Sequence, residues 1–309
     1  MRVAVSECLL GDPVRYDGSG AATAFPHSAV EGLFEYRGIC PEVGIGLGTP
    51  RDPIHLVEQD GRVRVQGVHD PDLDVTEKLR EFGRAQAAAL GDVAGYVFMR
   101  GSPSCGAHGV KVQRRRDDGT LAAPERRGRG VFAAALMAAL PELPVEENGR
   151  LHDPVLRACF VTRVFAYAHW RAFERAGISR AGLVAFHSRY KYLLMAHSVP
   201  HYQRAGRLLG NLRGDAAASA RAYLELLMAG LAQPPGRRGH ANVLSHLLGY
   251  LKRQLDGSER RDLDELIHAY RRGEQPLEAP LAALRARLRQ HPDPYLDGQV
   301  YLEAAYSGG

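Results

Sequence analysis

Short apolar runs alternate with helical patterns through the first half of the chain. Residues 2–9, the stretch "ICPEVGIGLG" and residues 93–99 are typical of short strands, and residues 70–90 carry apolar positions at helical spacing. A further helix is predicted over residues 27–36. Strands that alternate with helices indicate an α/β domain with a mainly parallel sheet, in which ligands bind beyond the carboxyl ends of the strands.

In the rest of this half, turn-forming residues separate a predicted hairpin, a loop and a helix. "IHLVEQDGRVRVQGV" predicts two strands joined across the Asp60-Gly61 turn. The charged stretch "QRRRDDGTLAAPERRGRG" indicates a surface loop, and "VFAAALMAAL" predicts a buried helix after it.

The second half is helical in its pattern. Asp153 and Pro154 suit the start of a long helix through residue 176, Gly177 suits its end, and Ser179 suits the next N-cap. Apolar residues at three-to-four spacing then predict helices over residues 181–198, 201–212, 216–231, 242–255 and 263–270. We therefore expect an α/β domain over residues 1–150 and an all-α domain over residues 151–309.

Composition and charge add two expectations. A chain of 309 residues with 45% apolar composition suits a globular protein of two domains, and its first residues are too short an apolar run for a signal peptide, which favours the cytoplasm. The net charge of +5 is concentrated in residues 151–309, where Lys and Arg exceed Asp and Glu. A basic second half suggests an anionic partner such as a nucleotide or nucleic acid, or else a solvated helix surface.

Three of the four cysteines share one context. Cys8, Cys40 and Cys105 each lie at or just beyond the end of a predicted strand, and such ends converge at one edge of a parallel sheet. Three thiolates can bind a soft metal centre and leave one position free for substrate. The spacing alone leaves an iron–sulfur cluster, a zinc ion and a thiol nucleophile open. Cys159 lies on the apolar side of a predicted helix and is expected in the core.

Longer motifs resemble known families. "VSECLLGDPVRYDG", "CPEVGIGLGTPRDPIHL" and "GSPSCGAHGVKV" resemble the bacterial thiouracil desulfidase family, a former domain of unknown function. "GRGVFAAALMAALPELPVEENGRLHDPVLRACFVTRVFAYAHW", "LVAFHSRYKYLLMAHS" and "HPDPYLDGQVYLEAAY" resemble the helical YbgA-like domain that is fused to it in many bacterial proteins. One departure is that Met99, Arg100 and Gly101 precede "SPSCG", where the family usually carries a basic residue and a serine.

The resemblance implies a [4Fe–4S] cluster held by Cys8, Cys40 and Cys105, with an open fourth iron that binds the sulfur of the substrate. The implied activity is non-redox desulfidation of a thiolated pyrimidine, as free base, nucleotide or residue in RNA. A general base is needed to activate water, and Glu42, two residues after Cys40, is the candidate. The alternative for Glu42 is a surface carboxylate that caps a loop.

Other polar residues near these motifs are candidates for the same site. Ser104 is a candidate catalytic residue and Ser102 a candidate substrate ligand, although Ser-Pro-Ser is also ordinary turn chemistry. Asp17 is a candidate for the N–H of the pyrimidine ring, and Arg15 or Arg51 for a phosphate. Salt bridges within the loops are the alternative for these three.

A second class of function stays open for the helical half. "FHSRYKYLLMAHS" places His187, Tyr190, Lys191 and Ser198 along one side of a helix. A polar, basic and aromatic stripe suits contacts to tRNA, and it equally suits a polar seam packed against the first domain. On this basis the alternative to the enzyme is a nucleic-acid-binding protein with a structural or sensory metal cluster.

Overall fold

The computed structural model describes residues 1–22, 32–212, 215–251 and 254–303. Contacts divide the chain into two units, Met1–Phe160 and Val161–Gly309. This division falls ten residues beyond the expected boundary at residue 150, which stays a prediction. Among the described residues, no helix is both long enough and apolar enough to cross a membrane.

Eight strands lie in the described part of the first unit. They are β1 (Arg2–Ser6), β2 (Glu35–Ile39), β3 (Ile54–Gln59), β4 (Arg62–Gly67), β5 (Val93–Phe98), β6 (Val110–Arg114), β7 (Glu125–Gly128) and β8 (Val145–Glu147). One sheet has the order β2-β1-β5-β8, and every pair in it is parallel. All six residues of β5 are buried, as expected of a strand inside a covered parallel sheet. The expected α/β fold with a parallel sheet is thereby confirmed.

The second sheet has the order β4-β3-β6-β7 and is mixed. The predicted hairpin is present: β3 pairs antiparallel with β4, and Asp60 and Gly61 turn the chain at φ values of 51° and 70°. The expected loop after Cys105 is wrong in part, because β6 and β7 occupy its two ends. Val110 and Val112 are buried at alternate positions of β6. This alternation favours a strand, although many of the residues that follow are charged.

The helices of the first unit are α1 (Pro41–Gly44), α2 (Thr76–Ala89) and α3 (Val131–Ala139). The helix predicted over residues 70–90 starts only at Thr76, because Asp74 forms a bridge with Gln66 of β4 and accepts a hydrogen bond from the Thr76 amide at 2.9 Å. Of the helix predicted over residues 27–36, residues 27–31 lie outside the described residues. The described remainder is a turn followed by the start of β2. The strand expected in "ICPEVGIGLG" is wrong except at Ile39, because β2 ends there and Pro41 starts helix α1.

The rest of the chain is helical, as expected. After α4 (Pro154–Arg175), which contains the division between the units, come seven helices among the described residues: α5 (Arg180–His197), α6 (Val199–Gly210), α7 (Ala216–Leu231), α8 (Arg237–Leu251), α9 (Gly257–Arg272), α10 (Glu278–Gln290) and α11 (Pro294–Asp297). The Asp153 carboxylate accepts from the amides of Val155 and Leu156, and Ser179 caps α5. Trp170, stacked on Tyr223, is fully buried in the second unit.

Candidate functional site

The ends of three adjacent parallel strands bring three thiols together. Cys8 lies in a 3-10 turn directly after β1, Cys40 follows β2 and precedes α1, and Cys105 lies in the loop after β5. All three line one cavity of about 250 Å³ within the first unit. Cys159 is buried in α4, as expected, and does not line this cavity. None of the four cysteines, all of which are described, forms a disulfide.

The environment of the thiols disfavours their charged form. Burial raises the pKa of Cys8 to about 11, with repulsion from Cys40 as the next cause. Burial also raises the pKa of Cys40, and that of Cys105 well above its ordinary value. A reactive nucleophilic cysteine has a lowered pKa, so these thiols do not match that class. A bound metal, in contrast, supplies the positive charge that stabilises buried thiolates.

Three thiols are a donor set of the kind that soft metal centres accept. Among the described residues, no three His, Cys, Asp or Glu side chains are grouped as ligands of one metal ion. Three thiolates on one zinc ion, with Zn–S bonds of about 2.3 Å, would have to converge closely. In an iron–sulfur cluster each thiolate binds its own iron, so the sulfur atoms lie farther apart. Three buried thiols around a cavity therefore fit a cluster in number and chemical type.

Glu42 is fixed in the wall of the same cavity. Its Oε2 accepts hydrogen bonds from Arg51 Nε at 2.9 Å and from Arg51 Nη2 at 2.7 Å. Its Oε1 accepts a hydrogen bond from the Ser104 hydroxyl. The side chains of Glu42 and Arg51 are only 13% and 6% exposed. The carboxylate is thus held from both sides, close to Cys40 in sequence and to Cys105 through Ser104.

Arg51 is also tied to the backbone around it. Its Nη2 donates to the Val14 carbonyl at 2.9 Å and its Nη1 to the Gly48 carbonyl at 2.7 Å. The side chain therefore links the loop after β1 to the turn after α1. A phosphate would have to compete with these partners, and the expected phosphate role of Arg51 stays a prediction.

The two predicted serines have different surroundings. Ser102 lines the cavity, and its Oγ accepts from the amides of Ser104 and Cys105 at 3.2 and 3.1 Å. Ser104 is fully buried behind this wall and reaches Glu42. Ser102 therefore shapes the backbone at Cys105, and Ser104 orients the carboxylate.

Arg15 and Asp17 lie in the same turn, but only Arg15 lines the cavity. Arg15 lines the cavity, where its guanidinium carbon lies 5.9 Å from the centre of the Tyr16 ring, and no described hydrogen bond or ion pair joins its side chain to another residue. Asp17 is exposed on a turn, where its Oδ1 accepts from the Ser19 amide and hydroxyl, and these bonds lower its pKa. Asp17 does not line the cavity. Its expected contact to a pyrimidine N–H stays a prediction.

Several residues near the site were not predicted from the sequence. Ser6 lines the cavity, and its Oγ accepts from the Met99 amide at 2.9 Å. Glu147 and Asn148, at the carboxyl end of β8, bond to the loop that carries Cys105. The apolar "LPV" before them could have indicated a short strand. Glu147 and Asn148 would then lie at the end of that strand, as the three thiols lie at the ends of theirs.

The polar stripe of the helical half is not a single exposed surface. Tyr190 is fully buried with its hydroxyl 2.5 Å from His169 Nδ1, and His187 Nδ1 lies 3.2 Å from the Tyr223 hydroxyl. Lys191 Nζ lies over the rings of Tyr192 and Tyr295. Much of the stripe thus packs inside the second unit.

The fold and this site define an α/β protein with a three-thiol cavity at the carboxyl ends of a parallel sheet. Residues 3–148 match the family model of 2-thiouracil desulfurase, and residues 191–305 match a family described as a protein of unknown function, DUF1722. The chain belongs to the 2-thiouracil desulfurase family, with a DUF1722 region after the desulfurase region.

The chain is also similar to two curated proteins and to one solved structure. The chain is 36% identical over 143 residues to YbgA of Escherichia coli (strain K12), described as uncharacterized, which spans 46% of this chain and 85% of YbgA. It is 32% identical over 146 residues to the uncharacterized YbbK of Bacillus subtilis (strain 168), over 44% of this chain and 90% of YbbK. A solved structure of the [4Fe-4S]-dependent thiouracil desulfidase TudS is 28% identical and covers 49% of this chain and 93% of that one, with a TM-score of 0.38.

Proposed function

We propose that the first unit removes sulfur, as sulfide, from a thiolated pyrimidine, and that it does so with a [4Fe–4S] cluster held by Cys8, Cys40 and Cys105. The observation that carries the proposal is the single cavity that these three thiols share with the Glu42 carboxylate. Membership of the 2-thiouracil desulfurase family supports the same chemistry.

The reaction replaces sulfur by oxygen without a change of oxidation state. A thiocarbonyl and water give a carbonyl and hydrogen sulfide, so no electron donor or acceptor is consumed. When bound, a cluster with three protein ligands supplies one open iron, which acts as a Lewis acid toward the soft sulfur of the thiocarbonyl. The chain itself has to position the pyrimidine, activate water and handle its protons.

Glu42 is the group that takes the proton from water. A general base needs an acceptor oxygen within hydrogen-bond reach of the attacking water, in a defined orientation. Arg51 and Ser104 supply that orientation, since they bond to different oxygens of the carboxylate. The proton then leaves Glu42 for the departing sulfide, which restores the carboxylate for the next turnover.

Arg15 is the group that selects among thiolated pyrimidines. Its guanidinium lines the cavity without a bonded partner among the described residues, and guanidinium binds phosphate through paired N–H donors. A thiolated nucleotide would therefore gain a contact that the free base lacks. Free base, nucleotide and RNA residue remain the three substrate forms to compare.

A tRNA partner for the helical unit is a separate expectation, and it stays a prediction. Arg189 is 3.7 Å from Glu303 and Lys191 lies against two tyrosine rings, so neither cation faces solvent without a partner. No described contact favours nucleic-acid binding over the enzyme, and the desulfidase is the function that we conclude.

The test is an anaerobic assay of the reconstituted full chain. Sulfide release is measured with thiouracil, thiouridine, thiouridine monophosphate and thiolated tRNA, beside iron content and visible absorption. We expect iron-dependent sulfide release from at least one substrate, and the matched variants Cys105→Ala and Cys159→Ala should abolish and retain it, respectively. A protein that loads iron yet releases no sulfide from any of the four would overturn the proposal in favour of a sensory or structural cluster.

A further inference from the structure

The last strand of the parallel sheet ends in two buried polar side chains. Glu147 closes β8 and is 2% exposed, and Asn148 follows it at 5% exposure. Glu147 Oε1 accepts hydrogen bonds from the amides of Ala107 and His108, at 2.9 and 3.0 Å. One carboxylate oxygen thus holds two consecutive amides directly after Cys105 and Gly106.

Asn148 holds the other end of the same loop. Its Oδ1 accepts from the Arg100 amide at 2.9 Å, and its own amide donates to the Phe98 carbonyl at 3.0 Å. We call residues 99–108 the thiol loop, because they carry Ser102, Ser104 and Cys105. Two neighbouring residues of one strand end therefore hold both ends of the thiol loop.

The thiol loop depends on outside partners because it is neither helix nor strand. Amides at the start of α3 hold its carbonyls: the N-cap residue Gly130 donates from its N to Gly106 O at 2.8 Å, and Ala133 N donates to Ser104 O at 3.1 Å. The amides of the loop need acceptors in turn, since a buried amide without one is costly. A charged acceptor forms the stronger bond, which explains a carboxylate rather than a hydroxyl at position 147.

Glu146 is a natural comparison. It precedes Glu147 on the same strand and is also buried, but its Oε1 accepts from Arg150 Nε at 2.6 Å and from the Glu147 amide at 3.0 Å. No described hydrogen bond joins the Glu146 side chain to the thiol loop. The two glutamates thus match in type and burial and differ in what they hold.

We propose that Glu147 is a positioning residue, which fixes the thiol loop so that Cys105 faces the cavity and Ser104 reaches Glu42. The effect on Cys105 follows from the geometry alone. Its consequence for sulfur removal rests on the proposed function.

The test measures the accessibility of each thiol in the metal-free full chain. Alkylation by iodoacetamide is followed at each cysteine by peptide mapping in the wild type and in Glu147→Ala, Glu147→Gln and Glu146→Ala. We expect Glu147→Ala to raise the labelling rate of Cys105 by about tenfold or more, because two buried amides lose their acceptor and the loop opens locally. Glu147→Gln, which keeps an acceptor oxygen, should restore most of the protection, and Glu146→Ala should leave Cys105 unchanged.

Two outcomes would overturn the proposal. One is Cys105 labelling in Glu147→Ala no faster than in Glu146→Ala. The other is equal acceleration at all four cysteines, including Cys159, which would show general unfolding. A second readout is the iron bound after reconstitution, which should fall in Glu147→Ala and recover in Glu147→Gln. If Cys105 responds as expected while the wild type releases no sulfide from any of the four thiolated substrates, the proposed function fails and the positioning role stands.

Discussion

Arg51 places both Nε and Nη2 on the same oxygen of Glu42, at 2.9 and 2.7 Å, and leaves the other oxygen to Ser104. The pair is almost entirely shielded from water. A buried ion pair is costly to break from one side, because the remaining charge has no partner. The orientation of Glu42 is therefore set by the fold before any substrate arrives.

Replacing the carboxylate by its isostere separates chemistry from structure. Glu42→Gln keeps the shape of the side chain but removes the proton acceptor, and we expect kcat for sulfide release to fall by about a hundredfold or more with iron content unchanged. Both quantities are measured on the same reconstituted sample. Unchanged kcat would exclude Glu42 as the base, and loss of iron would make it a support of the Cys40 loop.

Removing Arg51 should destabilise the first unit. Arg51→Ala leaves Glu42 unpaired and deprives the carbonyls of Val14 and Gly48 of a donor, so we expect the free energy of unfolding to fall by about 3 kcal/mol. Urea unfolding of the metal-free chain measures this change. Arg80→Ala is the control, because its ion pair with Glu77 is exposed and is worth about 0.5 kcal/mol. Similar losses in both variants would contradict the special role of the buried pair.

The three cavity thiols should be equivalent in holding iron, and the helix thiol should be dispensable. Cys8→Ala, Cys40→Ala and Cys105→Ala are each expected to lose the bound iron and the visible absorption, because one of three ligands is missing. Cys159→Ala should keep both. Anaerobic reconstitution followed by iron analysis decides this, and full iron in any of the first three variants would remove that cysteine from the ligand set.

A contact from Arg15 to phosphate predicts a selective change in KM. Arg15→Ala should raise KM for thiouridine monophosphate by about tenfold and leave KM for free thiouracil nearly unchanged. Rising ionic strength should raise the KM of the wild type for the nucleotide but not for the free base, because salt screens the contact between Arg15 and the phosphate. Arg116→Ala, in the turn between β6 and β7, serves as the control. An equal rise of KM for the free base and the nucleotide would show that Arg15 supports the structure of its loop and does not bind phosphate.

The second unit should lose stability in weak acid. Burial lowers the pKa of His187 to about 4, with Lys191 as the next cause, and lowers that of His240 to about 4, with His197 as the next cause. An unfolded histidine titrates near 6.5, so between these values the unfolded chain binds more protons and stability falls with falling pH. We expect the thermal unfolding midpoint to drop by several degrees from about pH 7 to about pH 5, and His240→Gln to reduce this drop. An equal drop in that variant would exclude a contribution from His240.

The placement of the thiols could be predicted because two independent signals coincide. Apolar runs locate β1 and β5, and parallel topology brings the carboxyl ends of β1, β2 and β5 together, so Cys8, Cys40 and Cys105 converge. The strand before Cys40 was predicted in the wrong place, because β2 (Glu35–Ile39) is not an apolar run. The hairpin turn at Asp60-Gly61 and the cap at Asp153 follow from local chemistry and are likewise correct.

The partners of Glu42 and the role of Glu147 could not be predicted in the same way. The bond between Arg51 and Glu42 depends on how the turn after α1 folds back, which no periodicity encodes. β8 has only three residues, too few to show alternation, so the strand that carries Glu147 left no pattern. In α10, alternating arginines obscured the apolar positions that pack inward at Leu281, Leu284 and Leu288.

The wide spacing of the three thiols along the chain has a consequence for biogenesis. No two of them lie close enough in sequence to chelate a metal within a short segment, so a growing polypeptide offers them one at a time. They meet only when β5 has joined β1 and β2, which requires about a third of the chain to have left the ribosome. Under the proposed function, iron could therefore bind only after β1, β2 and β5 have come together, so metallation would follow the folding of this sheet.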